Sequence, residues 1–185
     1  MIVKETPFKD CFIIEPKLIN DNRGSFLLNY NKNEFNKAVG KDIDFVLENE
    51  SISKYGVIRG LHLQTGENSQ AKLVRVISGK ILDVIVDVRP NSNTFGKSFS
   101  LELSATNNIQ LFIPRGFLHG FSVLENNTIV NYKCDNYYNK ESEEGVLYND
   151  LELNINWGLK RDKIILSEKD KKLKTLKDLL DLNKV

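Results

Sequence analysis

The period of the apolar residues is what most limits how this chain can fold. Along most of its length apolar and polar residues alternate in short segments bounded by Gly, Asn, Asp or Pro, a period of two that belongs to strands. The candidate strands are Cys11–Glu15, Ser25–Tyr30, Asp44–Glu48, Val57–Gln64, Ala71–Ser78, Lys80–Arg89, Lys97–Leu103, Asn108–Ile113, His119–Leu124 and Thr128–Cys134, about ten in all. Ser78-Gly79 predicts a tight hairpin between Lys72–Ile77 and Ile81–Val88, because glycine reaches positive φ without strain. In the second of these, Leu82, Val84, Val86 and Val88 share one face, while Ile81, Asp83, Ile85 and Asp87 share the other. A mixed face of that kind lines a cavity or meets solvent, solvent being the commoner case.

Helical spacing is scarce. Asn33–Val39 fits a short helix, and from Ser167 onward Leu173, Leu176, Leu179 and Leu180 recur among lysines as an amphipathic C-terminal helix. The expectation is one mainly β domain over residues 1–185, a double-sheet jelly roll with short peripheral helices. The net charge of +1, from 26 Lys+Arg against 25 Asp+Glu, provides no field to draw in nucleic acid or an anionic membrane, so neither is expected as a partner. Cys11 and Cys134 are too few for a disulfide framework or a zinc site. With no signal-like or membrane-length apolar run, a reduced cytoplasmic chain is expected.

Only two histidines occur, in Arg59-Gly60-Leu61-His62-Leu63-Gln64 and Pro114-Arg115-Gly116-Phe117-Leu118-His119-Gly120. Strict alternation sets Arg59 and Leu61 on one side and His62 with Gln64 on the other. A satisfied structural role is the ordinary fate of a lone histidine; the density of ionisable neighbours here weighs toward chemistry. The second segment has the Pro-x-Gly-x-x-His half of a metal-binding cupin, but the His-x-His half fails at Gln64, so no metal is expected. What remains is an organic acid–base site suited to a phosphorylated or nucleotide-linked sugar, with Arg23, Arg59 and Lys72 as the groups that hold phosphate oxygens. Tyr132 reads either as a core aromatic or as a phenol reaching a cavity.

Taken together, several segments resemble the dTDP-4-dehydrorhamnose 3,5-epimerase family of nucleotide-sugar metabolism. They are Asp21-x-Arg23-Gly24-x-Phe26, Asn49-x-Ser51, Arg59-Gly60-Leu61-His62-x-Gln64, Lys72-Leu73-Val74-Arg75-Val76, Asp83-Val84-x-Val86-Asp87-x-Arg89, Pro114-x-Gly116-Phe117-x-His119-Gly120-Phe121, Asn131-Tyr132-Lys133 and Leu166-Ser167-x-Lys169-Asp170. The resemblance implies a metal-free, cofactor-free cupin homodimer in surface-polysaccharide synthesis. Its substrate is a nucleotide-linked 4-keto-6-deoxyhexose, most simply dTDP-4-dehydro-6-deoxy-D-glucose, inverted at C3 and C5. It further implies His62 as base, Asp170 as the carboxylate that orients it, Tyr132 as opposite-face acid and Lys72 beside the keto oxygen. Arg23, Phe26, Asn49, Arg59, His119, Glu143 and Lys169, with Lys72, fall on substrate-binding positions. The chain departs from the family at Leu28, where an acid is usual, at Leu47, where glutamine is usual, and at Trp157-Gly158, where Trp-Pro is usual. The first two departures predict weak discrimination among nucleotides. A C3-only or C5-only epimerase and a non-catalytic sugar-nucleotide-binding cupin are the alternative readings.

Overall fold

A computed structural model describes residues 1–181. Its strands are β1 Ile2–Glu5, β2 Phe12–Glu15, β3 Lys17–Asp21, β4 Gly24–Leu28, β5 Leu47–Ser53, β6 Ile58–Gln64, β7 Lys72–Ser78, β8 Lys80–Asp87, β9 Ser98–Ser104, β10 Gln110–Ile113, β11 Phe117–Val123, β12 Thr128–Cys134 and β13 Glu143–Gly145, with helices α1 Lys32–Val39 and α2 Leu176–Asp181. Two antiparallel sheets face each other, one in the order β1-β2-β10-β7-β12-β5 and the other β13-β6-β11-β8-β9; β3 and β4 form a separate hairpin. This is the mainly β jelly roll the alternation predicts.

Most expected strands recur within a few residues of their bounds. The one at Asp44–Glu48 is displaced to Leu47–Ser53, where Leu47, Asn49, Ser51 and Ser53 alternate with the more exposed Glu48, Glu50 and Ile52. Three strands went unread: β1, β13 with only three residues, and β3, which is exposed at every position and so shows no period.

The expected hairpin at Ser78-Gly79 is corrected by the pairing. β7 bonds to β10 and β12 in one sheet and β8 to β11 and β9 in the other, so this turn carries the chain across the sandwich. Gly79 sits at φ 78°, and a Cβ there would lie 2.2 Å from Thr128 Oγ1, so the crossing needs glycine for room as well as for dihedral freedom.

Three apolar layers result. Between the sheets, Val74, Val76, Leu111, Ile113 and Val130 meet Ile81, Ile85, Leu103, Phe121 and Val123. On the outside of the second sheet, Val84, Val86, Val88, Leu61 and Leu118 are covered by Val146, Trp157, Leu176 and Leu179. Both faces of β8 are therefore buried, and its mixed face looks into the sandwich rather than to solvent. Helix α1 covers the outside of the first sheet with Phe35 and Val39, its start fixed by Asn31, whose side chain accepts from Glu34 N–H.

The C-terminal helix is shorter than expected. Helix α2 begins only at Leu176, because the preceding backbone is held by β-type pairing, Leu147 N–H donating to Lys174 O at 2.9 Å. Any continuation beyond Asp181 lies outside the described residues.

Candidate active site

A cavity of about 450 Å³ opens between the two sheets, and one local irregularity decides what lines it. In the β6–β11 pairing His62 opposes His119 and Arg59 opposes Phe121, so β6 holds one residue more than its partner. Gly60, at φ 110°, absorbs the bulge; a Cβ there would lie 2.6 Å from His119 O. Strict alternation is thus broken. Arg59 and His62 both reach the cavity, while Leu61 turns into the apolar layer behind the sheet. Gln64 stays out of the cavity, its Oε1 accepting from Asn139 N–H at 2.9 Å.

His62 Nε2 lies 2.7 Å from Asp170 Oδ1. The carboxylate is 4% exposed, and its Oδ2 also takes the Gly60 N–H at 3.4 Å. Burial pushes the Asp170 carboxyl up, but the bond to His62, with nearby positive charge and the Gly60 N–H, holds it below the usual carboxylate range. An ionised Asp170 accepts only, so Nε2 of the neutral ring is the protonated nitrogen and Nδ1 carries the lone pair.

Tyr132 and Lys72 come from the facing sheet, on β12 and β7. Burial raises the phenol above its ordinary value, leaving it a proton donor, and lowers the Lys72 ammonium. His119, from β11, bonds through Nε2 to Asp83 Oδ1 at 2.7 Å; burial, with the charges of Lys72 and His62, holds the His119 ring below its ordinary value although Asp83 raises it. Arg59 is anchored by Ser53, whose Oγ accepts at 3.2 and 3.1 Å.

Of the residues expected to bind substrate, Arg59, Lys72, His119, Glu143 and Lys169 line the cavity. Glu143 and Lys169 are joined to each other at 2.7 Å, and Tyr138 donates to the second Glu143 oxygen at 2.9 Å. Burial raises Glu143, but these two donors hold it below the usual range. Asn49 lies beside the cavity, opposite Tyr132 in the β5–β12 register. Arg23 and Phe26 stand apart from the cavity within one chain. They lie on the β3–β4 hairpin, where Phe26 is 64% exposed and Arg23 bonds Asp21 at 2.6 Å. Leu28 opposes Lys17 in that hairpin and Leu47 opposes Cys134.

Two buried groups were given no role from sequence: Ser51, which lines the cavity and whose Oγ has no partner, and Asp83, which stands behind the cavity wall bonded to His119. The mixed face of β8 was the available signal for Asp83. Among the described residues no group of three His, Cys, Asp or Glu side chains is placed to hold a metal ion, and both cysteines are free and buried. No described helix is long and apolar enough to cross a membrane.

The arrangement is an imidazole–carboxylate pair on one wall and a protonated phenol with an ammonium on the other, a layout suited to moving protons on a bound ketone. Comparison with known proteins agrees. The family model described as dTDP-4-dehydrorhamnose 3,5-epimerase matches residues 5–178. The Escherichia coli (strain K12) protein of that name is 44% identical over 182 residues, 98% of each chain. A solved structure of the same name from Elizabethkingia anophelis is 50% identical, with a TM-score of 0.93 over 96% of this chain and 97% of that one. The Legionella pneumophila dTDP-6-deoxy-D-glucose-3,5-epimerase, solved with dTDP-4-keto-L-rhamnose, is 40% identical, with a TM-score of 0.94 over 100% of this chain and 96% of that one. On the length and depth of these matches, the chain belongs to the dTDP-4-dehydrorhamnose 3,5-epimerase family.

Proposed function

We propose that this protein inverts C3 and C5 of dTDP-4-dehydro-6-deoxy-D-glucose to give dTDP-4-dehydro-β-L-rhamnose. The observation that carries the reading is the origin of the acid and the base on facing sheets, His62 on β6 and Tyr132 on β12. The Legionella relative solved with dTDP-4-keto-L-rhamnose supports the substrate class. The hydrogens on C3 and C5 flank the C4 ketone, so removal of either leaves an enolate with its charge on oxygen. His62 Nδ1 takes the proton, and Asp170 stabilises the resulting imidazolium. Lys72 stabilises the enolate oxygen inside a cavity where charge interactions are strong. The Tyr132 phenol then returns a proton to the opposite face, inverting the carbon, and the deprotonated phenol and imidazolium are reset by solvent before the second carbon reacts. Arg59 holds a phosphate, and His119 contacts the sugar ring.

The same reading takes the active protein as a homodimer in which the exposed hairpin of one copy brings Arg23 and Phe26 to the nucleotide end of the other's cavity. Its support is that both residues stand outside the cavity of their own chain, with Phe26 open to contact. The deciding experiment is incubation with the 4-keto sugar nucleotide in deuterated water. Deuterium at both C3 and C5 with conversion to the L-sugar is expected; label at one carbon only identifies a mono-epimerase, and no label a binding protein.

A further inference from the structure

Asp83 is fully buried at the centre of β8, and the epimerase reading gives it no part. A carboxylate without water is retained only where partners compensate its charge. One oxygen has its partner, the His119 Nε2–H at 2.7 Å, but Oδ2 has none. Across the cavity Lys72 makes no hydrogen bond or ion pair among the described residues, yet the Asp83 charge acts on it. Asp83 Oδ2 and Lys72 are thus two buried groups of opposite sign without a direct partner, carried on facing sheets, and the charges of both act on His119.

We propose that Asp83 is a positioning residue of the reaction: Oδ1 fixes the His119 ring and Oδ2 is the counter-charge that holds the Lys72 side chain as an ammonium, aimed at the enolate oxygen. With Nε2–H given to Asp83, the neutral His119 ring presents Nδ1 as an acceptor for a sugar hydroxyl. The titratable and charged groups that line the cavity with Lys72 are Arg59 and His62 from β6, His119 from β11, Tyr132 from β12, Glu143 from β13, and Lys169 and Asp170 from the C-terminal segment; Cys134 from β12 and Asp83 from β8, outside the lining, also act on it. Burial already draws the Lys72 ammonium down, and Asp83 opposes that pull.

The test is Asp83→Asn, which keeps the shape of the side chain and removes its charge. The proposal rests on the epimerase reading, so wild-type deuterium exchange is measured first; its absence overturns that reading. Given exchange, kcat of the variant is expected to fall about 10- to 100-fold with KM little changed. The basic limb of its pH–rate profile is expected to move down by roughly one pH unit, because Lys72 now loses its proton sooner. An unmoved limb, whether or not the rate falls, overturns the proposal, since a purely structural loss lowers Tm without moving a titration. If the variant does not fold, the ¹⁵N signals of the wild-type His119 ring decide. A neutral ring protonated at Nε2 supports the role, and one protonated at Nδ1 overturns it.

Discussion

His62 stands 108 positions from the carboxylate that serves it, and their 2.7 Å contact makes the pair separable by mutation. Replacing His62 by alanine should leave the sheets intact and lower the rate about 10²- to 10⁴-fold, the usual range for a general base. The check is NMR detection of exchange at C3 and C5 beside a thermal melt. Asp170→Asn should preserve nucleotide affinity while slowing exchange on the order of 10²-fold or more, because an amide does not stabilise imidazolium. The same carboxylate marks the acid stability of the fold. Its folded pKa lies below the ordinary value, so its contribution is complete above about pH 4 and is withdrawn as pH falls through the lower, folded value. Urea midpoints of wild type and Asp170→Asn should therefore converge on acidification; a constant difference down to pH 2 would count against the linkage. For Tyr132→Phe the ring keeps its packing and the acid is gone. Exchange should persist with retention of configuration, and normal inversion at both carbons would return Tyr132 to the role of a core aromatic.

At the scale of elements, β6 shows where reading by period stops. Its apolar residues, Ile58, Leu61 and Leu63, are three and two apart, and the break in that spacing is the bulge itself. Gly60→Ala tests it. The new Cβ would meet backbone at His119 O, and φ 110° disfavours any side chain, so a loss of about 1–3 kcal/mol or more is expected. Activity should fall further than stability, since Arg59 and His62 face the cavity together only through the bulge. Melting and turnover measured on one preparation would separate the two effects. The identities of His62, Tyr132, Asp170 and Lys72 were legible because their motifs are local and the resemblance is specific. Their distribution over two facing sheets was not, because local alternation records which side a residue takes and nothing about which sheet its strand joins. The Ser78-Gly79 turn shows the same limit. A glycine at positive φ suits a hairpin and a crossing between sheets equally, and long-range pairing with β10 and β11 decides between them.

For the whole molecule, the proposed homodimer would tie function to assembly through the hairpin that holds Arg23 and Phe26. If each cavity borrows a neighbour's hairpin, mixing inactive His62→Ala with inactive Arg23→Ala protein, then exchanging subunits, should restore turnover, because a mixed dimer regains one intact site. No recovery after demonstrated exchange would return Arg23 to its own chain's surface. The two sheets have another consequence. Facing sheets pack about 10 Å apart, a spacing set by the side chains between them. Under the proposed roles, with the base on one sheet and the acid on the other, Val74, Val76 and Val130, packed beside Tyr132, would act as shims in a gauge whose opening is the reach of the proton transfer. Adding one methylene at Val130 costs about 1–3 kcal/mol in strain, but it also resets that opening for every substrate at once. Selection on turnover would then bear on apolar residues that never touch a sugar, and directed evolution of this enzyme is expected to find rate-altering substitutions within its hydrocarbon filling.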